Sequence, residues 1–130
     1  MIRKDRGQAL VEFALVLPIL LLFVFAIVLV AQIGVARLAL EHAAAEGARA
    51  GALTNDDGEI ARAIQTAIAP LDGSRVRVQI DPTEAQRPLK PRGLLLRVVL
   101  DYSVPVPLGF VGLPEVAVAG RAARLIEWTP

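Results

Sequence analysis

Cysteine is absent from this sequence. That removes disulfide scaffolds, thiolate zinc sites and cysteine nucleophiles together. Histidine occurs once, as His42, so one chain can build neither a multi-histidine metal site nor a histidine relay. An excess of one charge is also missing. The 14 basic residues stand against 13 acidic ones, for a net charge of +1. No polybasic surface follows from that balance, and nucleic acid is not an expected partner. There is no serine–histidine–aspartate set and no phosphate-binding glycine loop. These absences argue against an enzyme, and no cofactor or metal is expected.

What the chain has is apolar surface: 55% of its 130 residues are hydrophobic. A water-exposed domain this short would show too much of it to solvent, which points to a membrane segment. Phe13 to Ala36 is a run of 24 residues without a charge. As a helix it spans about 36 Å at ~1.5 Å per residue, enough to cross a hydrocarbon core of ~30 Å with some tilt. Leu15 to Phe25 has no polar side chain on any face, unlike an amphipathic helix packed on a core. Pro18 lies inside the run and reads as a kink, which a membrane helix tolerates. Only Gln32 and Gly34 soften the far end.

Arg3, Lys4 and Arg6, with Asp5 as the single acid, precede the run. The positive-inside rule puts this end in the cytoplasm and everything after Ala36 across the membrane. A cleaved secretory signal is the rival reading. Leu29-Val30-Ala31 and Gly34-Val35-Ala36 both offer small residues for cleavage. However, the apolar run far exceeds the ~7–15 residues of a usual signal core.

Beyond the span, Arg37 to Leu53 is alanine-rich, with Arg37/Glu41 and Glu46/Arg49 at helical spacing. One helix is expected from near Gln8 to near Leu53, about half in lipid and the rest projecting beyond it. Ala43, Gly47 and Gly51 repeat at small-xxx-small spacing. That spacing suits close helix packing, or else marks a locally weak surface helix. His42, beside Glu41, reads as a solvated or interface residue.

Thr54 to Gly58 breaks the pattern. Asp56, with Glu59 three residues on, is a helix N-cap signature rather than half of a calcium loop. Ile60, Ile64, Ile68 and Leu71 recur at helical spacing, and Pro70 helps to end that element. Arg75 to Ile80 alternates as a half-buried strand, and 81–93 with its three prolines reads as a loop. A second strand is expected over Leu94 to Val104, with Leu94, Leu96, Val98, Leu100, Tyr102 and Val104 on one face, broken by Pro105 to Gly109. A third is expected over Val116 to Ile126, and Trp128 reads as a packing residue. The fold class is α+β: a long N-terminal membrane helix, a short helix and a small antiparallel sheet of about three strands. The expected division is 1–7 as a basic leader, 8–53 as the long helix, and 54–130 as a small domain outside the cytoplasm.

Glu12 does not fit a plain anchor. A carboxylate well inside a bilayer costs at least ~2.5–3.5 kcal/mol, so at the edge of the run it calls for a partner. Gly7-Gln8-Ala9-Leu10-Val11-Glu12-Phe13 resembles the processing site of type IV prepilin-like proteins. That resemblance implies a prepilin peptidase cutting after Gly7, Gln8 as the first mature residue and Glu12 as the fifth, with Phe13 as the aromatic beside it. The stretch from Arg6 to Pro18, with the segment Glu46 to Ala52, is similar to TadE-like and TadG-like proteins of the tight-adherence (Tad, Flp pilus) system. The short chain suits the TadE-like kind.

The resemblance implies a non-catalytic pseudopilin that takes part in pilus assembly. Its partners would be membrane lipid, the peptidase, other pseudopilins or a Flp-like pilin, and Tad platform proteins. Glu12 would register one subunit against the next, against the new amine of Gln8. Cleavage would take the net side-chain charge from +1 to −1 and remove the anchor that resists extraction from the membrane. The alternative from another class is a signal-anchored envelope protein with a small binding domain.

Overall fold

The computed structural model describes the backbone of residues 2–108 and 112–130, and the side chains of residues 7–106, 112 and 115–130. The chain forms helix α1 (Ile2–Thr54), helix α2 (Asp57–Ala67), and strands β1 (Val76–Asp81), β2 (Leu95–Leu108) and β3 (Leu113–Leu125). Single 3-10 turns lie at Gly73–Arg75 and Glu84–Gln86. The sheet is an antiparallel meander in the order β1-β2-β3. The expected α+β architecture is therefore present. Two compact units divide the chain, Met1–Gln32 and Ile33–Pro130.

Within the first unit the helix runs on through Pro18. Its bulky side chains are bare all round: Leu15 is 67% exposed, Ile19 58%, Leu22 65% and Val30 69%. The most apolar stretch of this helix buries nothing inside the chain. Such surface is stable only where lipid or another apolar chain covers it, and the helix fits a single membrane pass.

The second unit has a conventional core. From Ile33 onward α1 carries small residues, and Ala36, Leu40, Ala43, Ala44, Ala48 and Ala52 are buried. They pack with Ile60, Ile64 and Ile68 of the α2 segment and with Leu96, Val98 and Leu100 of β2. The register Val78↔Leu100↔Gly120 puts these positions on the sheet face turned toward the helices. Trp128 packs against the same core.

The local signals explain most boundaries. Asn55 has a φ of 54°, and its N–H reaches the Gly51 carbonyl at 2.9 Å, ending α1 in the left-handed turn that asparagine tolerates. Asp56 caps α2, its Oδ1 accepting from the Gly58 N–H at 2.6 Å. Glu59 does not complete a capping box; it takes the Arg62 guanidinium at 2.6 Å instead. The expected pairs Arg37–Glu41 and Arg49–Glu46 form, at 3.1 Å and 3.9 Å.

Two strand boundaries differ from expectation by more than one residue. Pro105 to Gly109 was expected to break the second strand, yet β2 continues to Leu108, with a register shift between Pro105 and Leu108. The reason lies in the neighbouring strand. β1 begins only at Val76, opposite Tyr102, so beyond Tyr102 β2 has a partner on one side only. A proline there forfeits no bond on the open side, and the shift absorbs the rest. Because β2 is longer, β3 begins at Leu113 and not at Val116. The segment 81–93 is not all loop either: Asp81 closes β1 and Glu84–Gln86 forms a 3-10 turn.

Candidate functional site

The residues at the head of the apolar run lie on one stretch of α1. Gly7, Gln8, Glu12 and Phe13 fall within about two turns, ~1.5 Å of rise apiece. Gln8 and Glu12 are four apart and meet on one face: Gln8 Nε2 donates to Glu12 Oε1 at 3.2 Å. The carboxylate at the head of the apolar run therefore has a polar partner within its own helix. Its apolar neighbours Leu10, Val11 and Phe13 are 69%, 61% and 62% exposed. The topology residues Arg3, Lys4 and Arg6 have side chains that lie outside the described residues.

Gly7 has no structural need to be glycine. A Cβ built there meets nothing within 4 Å. Glycine inside a helix costs about 1 kcal/mol relative to alanine. The chain carries that cost without a packing return inside the subunit, so any demand for a bare backbone at Gly7 comes from outside the molecule.

Gly47 and Gly51 are the opposite case. A Cβ on Gly47 would lie 2.7 Å from Ile64 Cγ1, and one on Gly51 would lie 2.5 Å from Leu96 Cδ2 and 2.6 Å from Ile60 Cδ1. With Ala43 fully buried beside them, the small-residue spacing lets α1 sit close to α2 and β2. The structure uses Ala43, Gly47 and Gly51 inside one subunit.

Two contacts had no forewarning in the pattern analysis. Gly120 of β3 lies against the α1 backbone, where a Cβ would collide with the Leu40 carbonyl carbon and come within 2.6 Å of the Glu41 nitrogen. A glycine amid strand residues is the signal that could have revealed it. Arg87 is buried, with its side chain 1% exposed. It pairs with Asp57 and donates to the carbonyls of Pro82 at 3.1 Å and Asn55 at 3.2 Å. Asp57 and Glu84 also exchange backbone bonds: each carboxylate accepts the other's N–H, at 3.0 Å and 3.2 Å. This clamp ties the β1–β2 connection to the α1–α2 turn.

Among the described residues no group of three or more histidines and carboxylates is placed to hold a metal ion. On the face of the sheet turned away from the helices, Ser74, Arg75, Arg77, Asp101, Ser103 and Glu115 line an open groove of about 460 Å³. Arg75 spans it, 3.4 Å from Glu115 and over the Tyr102 ring at 5.8 Å. Beside it the Asp72 carboxyl is held below its ordinary pKa by hydrogen bonds from the Ser74 hydroxyl and N–H.

Residues 7–49 match the family model described as TadE-like protein. The match opens on Gly7 and takes in Glu12, Phe13, the apolar run and Gly47. It covers most of the stretch that carries the resemblance, leaving out Arg6 and Ala50 to Ala52, and this third of the chain is similar to TadE-like proteins. No curated protein and no solved structure matches the chain.

Proposed function

We propose that this TadE-like chain is a minor pseudopilin, cut by a prepilin peptidase between Gly7 and Gln8 and acting without catalysis in the assembly of a Tad/Flp-type pilus. The observation that carries the reading is Gly7: a helix-weakening glycine with open space around it, at the start of the family match, five residues ahead of Glu12. A peptidase that must approach the backbone closely supplies the demand for glycine that the chain itself does not make.

Cutting there frees an amine on Gln8, one helical turn from Glu12. The carboxylate already accepts from the Gln8 side chain. An amine on its own helix or on a neighbouring subunit is a stronger partner, because a charge-assisted bond in low dielectric outweighs a neutral one. Glu12 then registers subunits, and Phe13 packs beside it. The N-terminus lies in the cytoplasm and residues 37–130 lie outside, because Arg3, Lys4 and Arg6 flank the near side of the span. The other participants are the Tad platform proteins and a Flp-like pilin or sister pseudopilins.

Intact-mass measurement of the protein from its native host tests this reading. The expected mature chain begins at Gln8, and Gly7→Leu leaves the leader attached. An uncut chain, or one beginning near Gln32 or Arg37, overturns it.

A further inference from the structure

We propose that Glu12 keeps the new N-terminus of the mature chain open: it holds the Gln8 carboxamide away from the freed amine, so that the two do not close into a lactam. The inference rests on the cleavage reading above for the existence of that amine. It adds a role for Glu12 before subunits meet, as a positioning residue within its own helix.

An N-terminal glutamine carries its own electrophile. The lone pair of the amine nitrogen attacks Cδ of the side-chain carboxamide. The N–Cδ bond forms, the Cδ–Nε2 bond breaks, one proton passes from the attacking nitrogen to Nε2, and ammonia leaves. The product is a five-membered lactam without charge, and no oxidant or second reactant takes part. In the uncut chain the Gln8 nitrogen belongs to a peptide bond with Gly7, so only cutting sets up the reaction. Closure matters because the lactam nitrogen takes no proton. A mature chain that closes loses the one cation at the head of its apolar run, and its nearest basic side chain is then Arg37.

What opposes closure is the bond already present. Gln8 Nε2 donates to Glu12 Oε1 at 3.2 Å. Glu12 stands four residues on, about 6 Å farther along the helix axis. The carboxamide is thus drawn toward the next turn, while the nitrogen that Cδ must reach lies at the start of the mature helix. A carboxylate has a second acceptor oxygen. Among the described residues Glu12 Oε2 has no hydrogen-bond partner, which leaves it for the amine. An amine held there as an ammonium ion has no lone pair to attack with, and a charge-assisted bond of that kind is stronger than a neutral one. One carboxylate therefore restrains both reactants. Gln8 and Glu12 are both exposed, and among the described residues no other side chain hydrogen-bonds Gln8, so within the subunit nothing else does this.

Mature protein purified from its native host in detergent is held at growth temperature and followed by intact mass for the loss of one ammonia. Glu12→Ala should lose it about tenfold faster than the unsubstituted protein, because closure no longer has to break a bond to a charged acceptor. Glu12→Gln keeps an acceptor oxygen without the charge; it should fall between the two, and it gives the same comparison where Glu12→Ala is not cut. Adding Gln8→Ala to Glu12→Ala should abolish the loss, which assigns it to Gln8 and not to an internal amide. Leu10→Ala, on the same exposed turn, should leave the rate unchanged, so that a looser helix end is not the cause. Equal rates for Glu12→Ala and the unsubstituted protein overturn the inference. So does faster loss from the unsubstituted protein, which would make Glu12 an aid to the leaving ammonia, and so does an unsubstituted N-terminus already closed when isolated. The first spectrum separates the two claims. A chain that is uncut, or cut elsewhere, ends the cleavage reading and this inference with it. A chain that begins at Gln8 and closes without regard to Glu12 ends this inference alone.

Discussion

The two parts of α1 share a backbone conformation and almost nothing else. Between Leu10 and Val30 leucine, valine, isoleucine and phenylalanine cover every face, and most are more than half exposed. From Ala36 to Ala52 alanine and glycine dominate, and one side is buried to between 0% and 2% exposure. Bulk without a polar face suits a solvent that is itself apolar, because lipid accepts side chains of any shape. Small residues suit a neighbour that is protein, because they let two backbones approach and leave the bulk to the partner. Here the partner supplies Ile60, Ile64 and Leu96, which fill the space over Gly47 and Gly51. The second part of the helix is thus a component of a folded core, and the first fits a membrane span.

Substitutions in the two parts should therefore differ in kind. The largest effect is expected where protein backbone meets protein backbone. Gly120→Val forces a side chain into the Leu40–Glu41 peptide, which cannot rotate away, and should cost about 3 kcal/mol or more. In detergent the full chain should lose cooperative urea unfolding or show a much lower midpoint; an unchanged midpoint would mean that sheet and helix are not held in this contact.

Next comes a matched pair of leucines. Leu40→Ala empties a fully buried site and should cost ~2–5 kcal/mol, whereas Leu20→Ala, 56% exposed, should cost less than about 0.5 kcal/mol. The same urea titration reads both. Equal losses would erase the distinction between the two parts of the helix.

The smallest effect on stability is expected at Glu12. Glu12→Ala removes the acceptor of the Gln8 side chain, and alanine is a good helix former, so insertion, processing and protein level should stay normal. The loss should appear in co-purifying sister subunits and in surface pili. Loss of processed protein instead would place Glu12 earlier, in peptidase recognition or membrane stability. Normal partners and pili would reduce it to a carboxylate solvated at the interface.

Much of this division was legible before folding is considered, and the reason is additive chemistry. Partition into lipid depends on a sum over neighbouring residues, so a charge-free run of 24 residues announces itself wherever it stands. The short helix and the strands were legible because their burial repeats with the backbone period, as at Ile60 and Ile64 or at Leu96, Val98 and Leu100. The resemblance at Gly7, Glu12 and Phe13 was legible because the three are close in sequence and sit in register with the apolar run.

What only the tertiary structure decided is what depends on a neighbour distant in the chain. Pro105 and Pro107 look like strand breakers until β1 is seen to begin only at Val76, opposite Tyr102, and leave that part of β2 without a second partner. Arg87 looks like one more loop cation, and its value comes from Asn55 and Asp57, about thirty residues earlier. Gly120 is one small residue among alanines until the α1 backbone lies on it. Sequence by itself determined which segment is apolar enough to enter lipid and which segments alternate, because those properties are local and sum along the chain. Folding determined which small residue is irreplaceable and which cation is buried, because contact, unlike hydropathy, belongs to pairs of residues brought together across the fold.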